Sequence, residues 1–160
     1  MYKKNLIPKK FKLRTFPDNR GLVFEINHPK IKLNFKHKII AISKKNVLRG
    51  LHYKKKYENK LLIIIKGKII DYCISLKKKN FGQKYKFYLK TGDALFVPKG
   101  YAHGYLSKEK ENIILYKLSS NYEPKLNTGI RWNDPYLNLK WEIKKPILSK
   151  NDKKLPFLKK

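Results

Sequence analysis

No apolar run in this chain exceeds five residues. The longest, Leu61-Leu62-Ile63-Ile64-Ile65, is cut at once by Lys66-Gly67-Lys68. A stretch this short and β-branched reads as a strand covered on both faces, because a buried helix needs roughly twice the length. The same form recurs downstream: Ile69 to Leu76, then Lys84-Tyr85-Lys86-Phe87-Tyr88-Leu89 with the alternation of a strand wet on one side, then Ala94 to Val97, then Asn112 to Leu118. Thr91-Gly92-Asp93 and Pro98-Lys99-Gly100 are the turns between them. No helical stripe precedes residue 120, and strands at roughly 8- to 12-residue spacing predict an all-β sandwich or barrel. The last 40 residues hold Pro124, Pro135, Pro146 and Pro156 and are expected to form an ordered, loop-rich C-terminal wrap. At 160 residues and 41% apolar, one domain over 1–160 with a real core is the expectation.

Charge narrows the partners. The chain carries 40 basic and 11 acidic residues, a net +29, which concentrates anions around it. Nucleic acid, anionic membrane and phosphorylated small molecules all qualify on sign. The lysines are scattered along the whole chain, with no basic tail or amphipathic helix, and only Arg14, Arg20, Arg49 and Arg131 supply the planar fork that nucleic-acid readers favour. Neither nucleic acid nor membrane is therefore expected as a partner. The N-terminal MYKKNLIPKKFKLRTF has no apolar signal core, and Cys73 is the sole cysteine, which excludes an intramolecular disulfide; a cytoplasmic protein is expected. Against a lysine background, a retained arginine hints at carboxylate or phosphate recognition, except at Arg14, where chance suffices.

Two islands could carry chemistry. Gly92, five residues, Pro98, one residue, Gly100, two residues and His103 would place an imidazole in the mouth of a β-barrel, and the spacing resembles the second motif of the cupins. The metal-binding His-x-His of many cupins is absent, since Tyr53 and Lys54 follow His52. A site of two histidines and one carboxylate would need Glu58 or Asp71 beside His52 and His103, without spacing support, so no metal is expected. In the second island, Asn46 to Tyr53, Gly50 permits close backbone approach; Arg49 and His52, three apart, lie on opposite strand faces unless the chain bends between them.

Taken in order, these segments resemble one family. Asp18-Asn19-Arg20-Gly21 with Phe24-Glu25, Asn46 to Tyr53, Phe81-Gly82-Gln83, Val97 to Tyr105, Leu115-Tyr116-Lys117, Gly129 to Pro135 and Pro146 to Asp152 follow the dTDP-4-dehydrorhamnose 3,5-epimerases over about residues 15–157. The resemblance implies a cupin double-stranded β-helix, a jelly-roll barrel preceded by N-terminal strands. It implies epimerisation of a nucleoside-diphosphate-linked 4-keto sugar at C3 and/or C5 through an enolate, without cofactor or metal. The alternative is a cupin-like sugar- or anion-binding module without turnover.

By the same resemblance His52 is the base, Asp152 orients it, Tyr116 is the acid on the opposite face, and Lys60 stabilises the enolate oxygen. Arg20, Glu25, Arg49, Asn59 and His103 fall on substrate-contacting positions. Read locally, Tyr116 is an ordinary core tyrosine, Lys60 is one lysine among many, and Asp152 lies in a tail that need not fold back. The chain departs from the family pattern at Ile63, where an arginine is usual, at Leu22-Val23, at Lys38 to Ile42 and at Phe96; most of these losses are expected to touch the nucleotide and outer sugar pocket. The family's homodimers trade N-terminal strands, for which Asn5 to Pro8 and Leu22 to Ile26 are the counterparts here.

Overall fold

The computed structural model describes residues 6–55 and 58–159; of the two N-terminal patches, Asn5 lies outside them. The chain is nearly all β, 49% strand and 7% helix. Its strands are β1 (Lys9–Lys12), β2 (Thr15–Asp18), β3 (Gly21–Phe24), β4 (His37–Lys44), β5 (Leu48–Lys54), β6 (Lys60–Lys66), β7 (Lys68–Ser75), β8 (Lys84–Lys90), β9 (Asp93–Val97), β10 (Tyr101–Ser107), β11 (Glu111–Leu118) and β12 (Asn127–Gly129). One five-stranded sheet runs β1-β9-β6-β11-β4 and another runs β12-β5-β10-β7-β8, while β2 and β3 form a separate hairpin. The pairings within these sheets are antiparallel, and the two five-stranded sheets face each other as the jelly-roll barrel anticipated from the punctuation.

Three apolar layers hold the barrel, and strand parity assigns each side chain to one of them. Leu62 and Ile64 on β6, Ile69 and Cys73 on β7, Tyr101 and Tyr105 on β10 and Ile114 on β11 fill the interior. Leu61 and Ile63 point out the other side of β6, under Leu13, Phe11, Phe24 and Phe35 of the N-terminal region. The outer face of the second sheet, with Leu51, Ile70, Tyr72 and Leu106, is covered by Ile130, Leu137 and Trp141 of the C-terminal wrap. Both faces of β6 are thus buried, which is why its sequence is apolar without alternation. Fully burying side chains of this size stabilises by about 1.5–3 kcal/mol each before the entropy of ordering them is subtracted.

One correction concerns the departures from the family pattern. Ile63 and Phe96 both belong to the outer layer beneath the N-terminal region, so neither faces the barrel interior. Neither is among the residues that line the cavity at the barrel's open end.

Candidate active site

The barrel is apolar at one end and polar at the other, and the polar end opens into a cavity of about 530 Å³. Strand parity explains its lining. Lys60 lies in phase with Leu62 and Ile64, Tyr116 with Ile114, and His103 with Tyr101 and Tyr105, so each points inward beyond the apolar floor. Arg49 and His52 also line the cavity, although three residues apart. A β-bulge resolves the conflict: His52 pairs with His103 but Arg49 pairs with Tyr105, so three steps on β5 match two on β10. The bulge depends on two glycines. Gly50 has φ +128°, and a Cβ there would lie 2.5 Å from the Cα of Gly104.

His52 Nε2 lies 2.6 Å from Asp152 Oδ1, a contact that spans 100 residues of sequence. The carboxylate is delivered by a short helix, α1 (Lys150–Lys154), in the C-terminal wrap. Ser149 caps it by accepting a hydrogen bond from the Asp152 N–H at 3.0 Å, which leaves the Asp152 carboxylate free to face His52. Arg131 secures the segment just after α1: its Nε donates to Leu155 O at 2.8 Å, and its guanidinium stacks 4.6 Å from the centre of the Phe157 ring.

A second pair lies deeper. His103 Nδ1 is 3.1 Å from Asp71 Oδ2, and the Cys73 thiol donates to the other oxygen of Asp71 at 3.4 Å. Burial disfavours charge on both partners, pushing the Asp71 carboxyl up and the His103 imidazole down. The His103 ring sits 6.1 Å, centre to centre, from that of Tyr116. Burial also holds the Tyr116 phenol well above its ordinary 10, reinforced by Tyr105 and Asp71, so it stays protonated. Lys60 is pulled below its usual 10.5 by desolvation, with Glu58 the main opposing influence.

The cavity therefore gathers His52, Tyr116, Asp152, Lys60, Arg49 and His103, with the imidazole of His52 on one sheet and the phenol of Tyr116 on the other. Three other positions lie elsewhere in this chain. Arg20 is at the tip of the β2–β3 hairpin, 84% exposed and paired with Asp18 at 2.6 Å. Glu25 is exposed just after that hairpin. Asn59 ties the start of β6 to its neighbours, accepting from the Lys99 N–H at 3.0 Å and donating its own N–H to Ser119 at 2.8 Å. Among the described residues no three His, Cys, Asp or Glu are placed to hold a metal ion.

Sequence reasoning missed several lining residues. His37 and Tyr122, rings 5.6 Å apart, stand at the cavity, and Lys54 forms part of its wall beside Glu58, which the sequence offered only as a metal-ligand candidate. Asp71 had entered only as a metal ligand; its signal was a lone acid within the apolar run Ile69 to Leu76.

Comparison with known proteins agrees with this geometry. Residues 8–160 match the family model described as dTDP-4-dehydrorhamnose 3,5-epimerase. The chain is 31% identical over 139 residues to the dTDP-4-dehydrorhamnose 3,5-epimerase of Methanothermobacter thermautotrophicus, covering 80% of this chain and 75% of that one. The Salmonella typhimurium enzyme of the same name is 31% identical over 159 residues, covering 91% and 87%. A Bacillus anthracis dTDP-4-dehydrorhamnose 3,5-epimerase crystal structure with TDP and PPi bound superposes with TM-score 0.88 at 32% identity over 94% of both chains. A Legionella pneumophila epimerase in complex with dTDP-4-keto-L-rhamnose gives TM-score 0.85 at 27% identity, over 94% of this chain and 87% of that one. Fold, cavity and likeness converge: this chain belongs to the dTDP-4-dehydrorhamnose 3,5-epimerase family.

Proposed function

We propose that the cavity epimerises a nucleoside-diphosphate-linked 4-keto-6-deoxy sugar at C3 and/or C5. The observation that carries this reading is the His52–Asp152 pair facing, across one cavity, a protonated Tyr116 on the other sheet. With the Nε2–H of His52 donated to Asp152, Nδ1 holds the lone pair that removes the proton next to the carbonyl. The C–H electrons move into the ring, and the carbonyl oxygen becomes an enolate. Lys60 supplies the positive charge for that oxygen. Tyr116 then gives its proton to the opposite face of the carbon, so the centre inverts. The phenolate regains a proton and the imidazolium loses one through solvent, so atoms balance without oxidant or reductant. Arg49 serves the diphosphate as a planar donor, steadied by its bond to Ser43 Oγ at 3.1 Å.

The relatives, epimerases acting on dTDP sugars, favour turnover over a binding module. The decisive test is deuterium incorporation from solvent at C3 and C5 of dTDP-4-keto-6-deoxyglucose, with other nucleotide 4-keto sugars beside it. Exchange at either carbon supports the reading; silence with every sugar overturns it.

The working unit we infer is a homodimer. Ile39, Ile40 and Ile42 on β4 are 42–63% exposed, and among the described strands β4 is an edge of its sheet. Phe16, Leu22 and Val23 on the hairpin are 44–66% exposed as well. Hairpin and edge supply complementary apolar surface for a second copy, and such an exchange would bring Arg20 and Glu25 toward the partner's cavity. At +29 per chain, association needs salt to screen repulsion. Light scattering at moderate ionic strength checks it; a monomer there would sink this inference.

A further inference from the structure

Two charged side chains in the cavity wall have no part in the proton transfers above. Lys54, on β5, and Glu58, just before β6, have side chains 2% and 8% exposed. Glu58 stands between two cations, with Oε1 3.9 Å from Lys54 Nζ and Oε2 3.8 Å from Lys60 Nζ. The Ser120 hydroxyl donates to Oε1 from the end of β11. Lys54 is itself held, donating to Ser120 Oγ at 2.9 Å, to Asn121 O at 2.7 Å and to Glu123 Oε1 at 3.3 Å. Burying two ammonium groups beside one buried carboxylate, with only the half-exposed Glu123 as a further acid for Lys54, is costly in a low-dielectric interior, so the arrangement calls for a reason other than stability.

The other groups facing Lys60 are already engaged or of the wrong sign. Asp71 on β7 is spoken for by His103 of β10 and by Cys73. Lys54 of β5 repels, and Tyr116 of β11 stays neutral. Glu58 is thus the counter-charge nearest the Lys60 ammonium.

Resting on the epimerase reading, we propose that Glu58 is a positioning residue of the reaction: gripped by Ser120 and balanced by Lys54, it keeps Lys60 a charged, fixed ammonium at the cavity wall. Its loss leaves a buried cation beside another cation, and the proton of Lys60 becomes the one most easily shed. Because Tyr116 titrates well above 10 and Lys60 below 10.5, Lys60 sets the alkaline limb of activity.

The experiment uses the full chain and the deuterium-exchange assay. In Glu58→Gln, which keeps the shape and removes the charge, the alkaline limb of kcat/KM should move down by about one pH unit, with about a tenfold loss above it and little change near neutrality. Lys54→Gln, which removes the repelling neighbour, should move the limb upward. A brace that merely shapes the wall would lower the rate at every pH and leave the limb in place, and that result overturns the proposal. NMR titration of the Lys60 side chain in wild type and Glu58→Gln reads the same shift without substrate. If wild type shows no exchange, the epimerase reading fails while this titration still decides the Glu58–Lys60 link. If Glu58→Gln does not fold, Lys54→Gln decides by the direction of its shift, an unmoved or lowered limb counting against the proposal.

Discussion

Two histidine–aspartate pairs sit one strand apart in this barrel, and their environments differ. The side chain of His52 is 44% exposed and its Asp152 arrives from a capped helix 100 residues away. The side chain of His103 is 4% exposed and its Asp71 lies on the adjacent strand, fully buried. The two imidazoles are cross-strand partners, so backbone position alone does not distinguish them. Access does. A base must meet a substrate proton and later hand it to solvent, which the outer pair can do. The inner pair is disfavoured as two charges and holds the wall against which Tyr116 packs. Matched backbone positions therefore support unequal duties, and the division can be tested.

The largest expected effect is on the outer pair. His52→Asn should cut deuterium exchange by about 10³-fold or more while changing unfolding free energy by less than about 1 kcal/mol, because a half-exposed pair contributes little to stability. Exchange within tenfold of wild type would break the contrast. Next, Asp152→Asn should cost about 10²-fold in exchange, since it removes the group that fixes the tautomer, again with a small change in urea unfolding. Tyr116→Phe sharpens the picture differently: proton removal persists, yet inversion should fall about 10²-fold, so that NMR finds deuterium at a retained centre. Equal losses of exchange and inversion would place the acid elsewhere. The smallest effect on rate and the largest on folding is expected at the inner pair. His103→Asn strands the buried Asp71 carboxyl and should cost about 2–4 kcal/mol in urea unfolding. A smaller penalty than that of His52→Asn would reverse the two assignments.

Much of the barrel is legible in local patterns. The five-residue run at Leu61 marks β6, the alternation after Lys84 marks β8, and the glycine and proline turns mark the ends of β9. The site is legible in part. Lys60, Tyr116 and His103 take their direction from strand parity that becomes visible only once the two layers around β6 are known, and Arg49 and His52 break parity through the Gly50–Gly104 bulge. Asp152 shows only through the family motif that runs from Pro146, and nothing in its local sequence points to His52. Arg20 and Glu25 match a motif whose place in one chain is a hairpin away from the cavity. Glu58 and Lys54 carry no pattern at all, because a charge among lysines is indistinguishable until burial is known.

By itself the sequence determined most strands between Leu61 and Leu118, the wet face of the alternating one and the family its motifs follow, since those signals repeat every second residue or sit in short contiguous stretches. Tertiary structure alone decided that Asp71 meets His103, which side of a bulged strand faces the cavity, and which lysine shares a carboxylate. Those outcomes depend on how strands distant in sequence pair, where a shift of one position in register would exchange partners that no local periodicity can name.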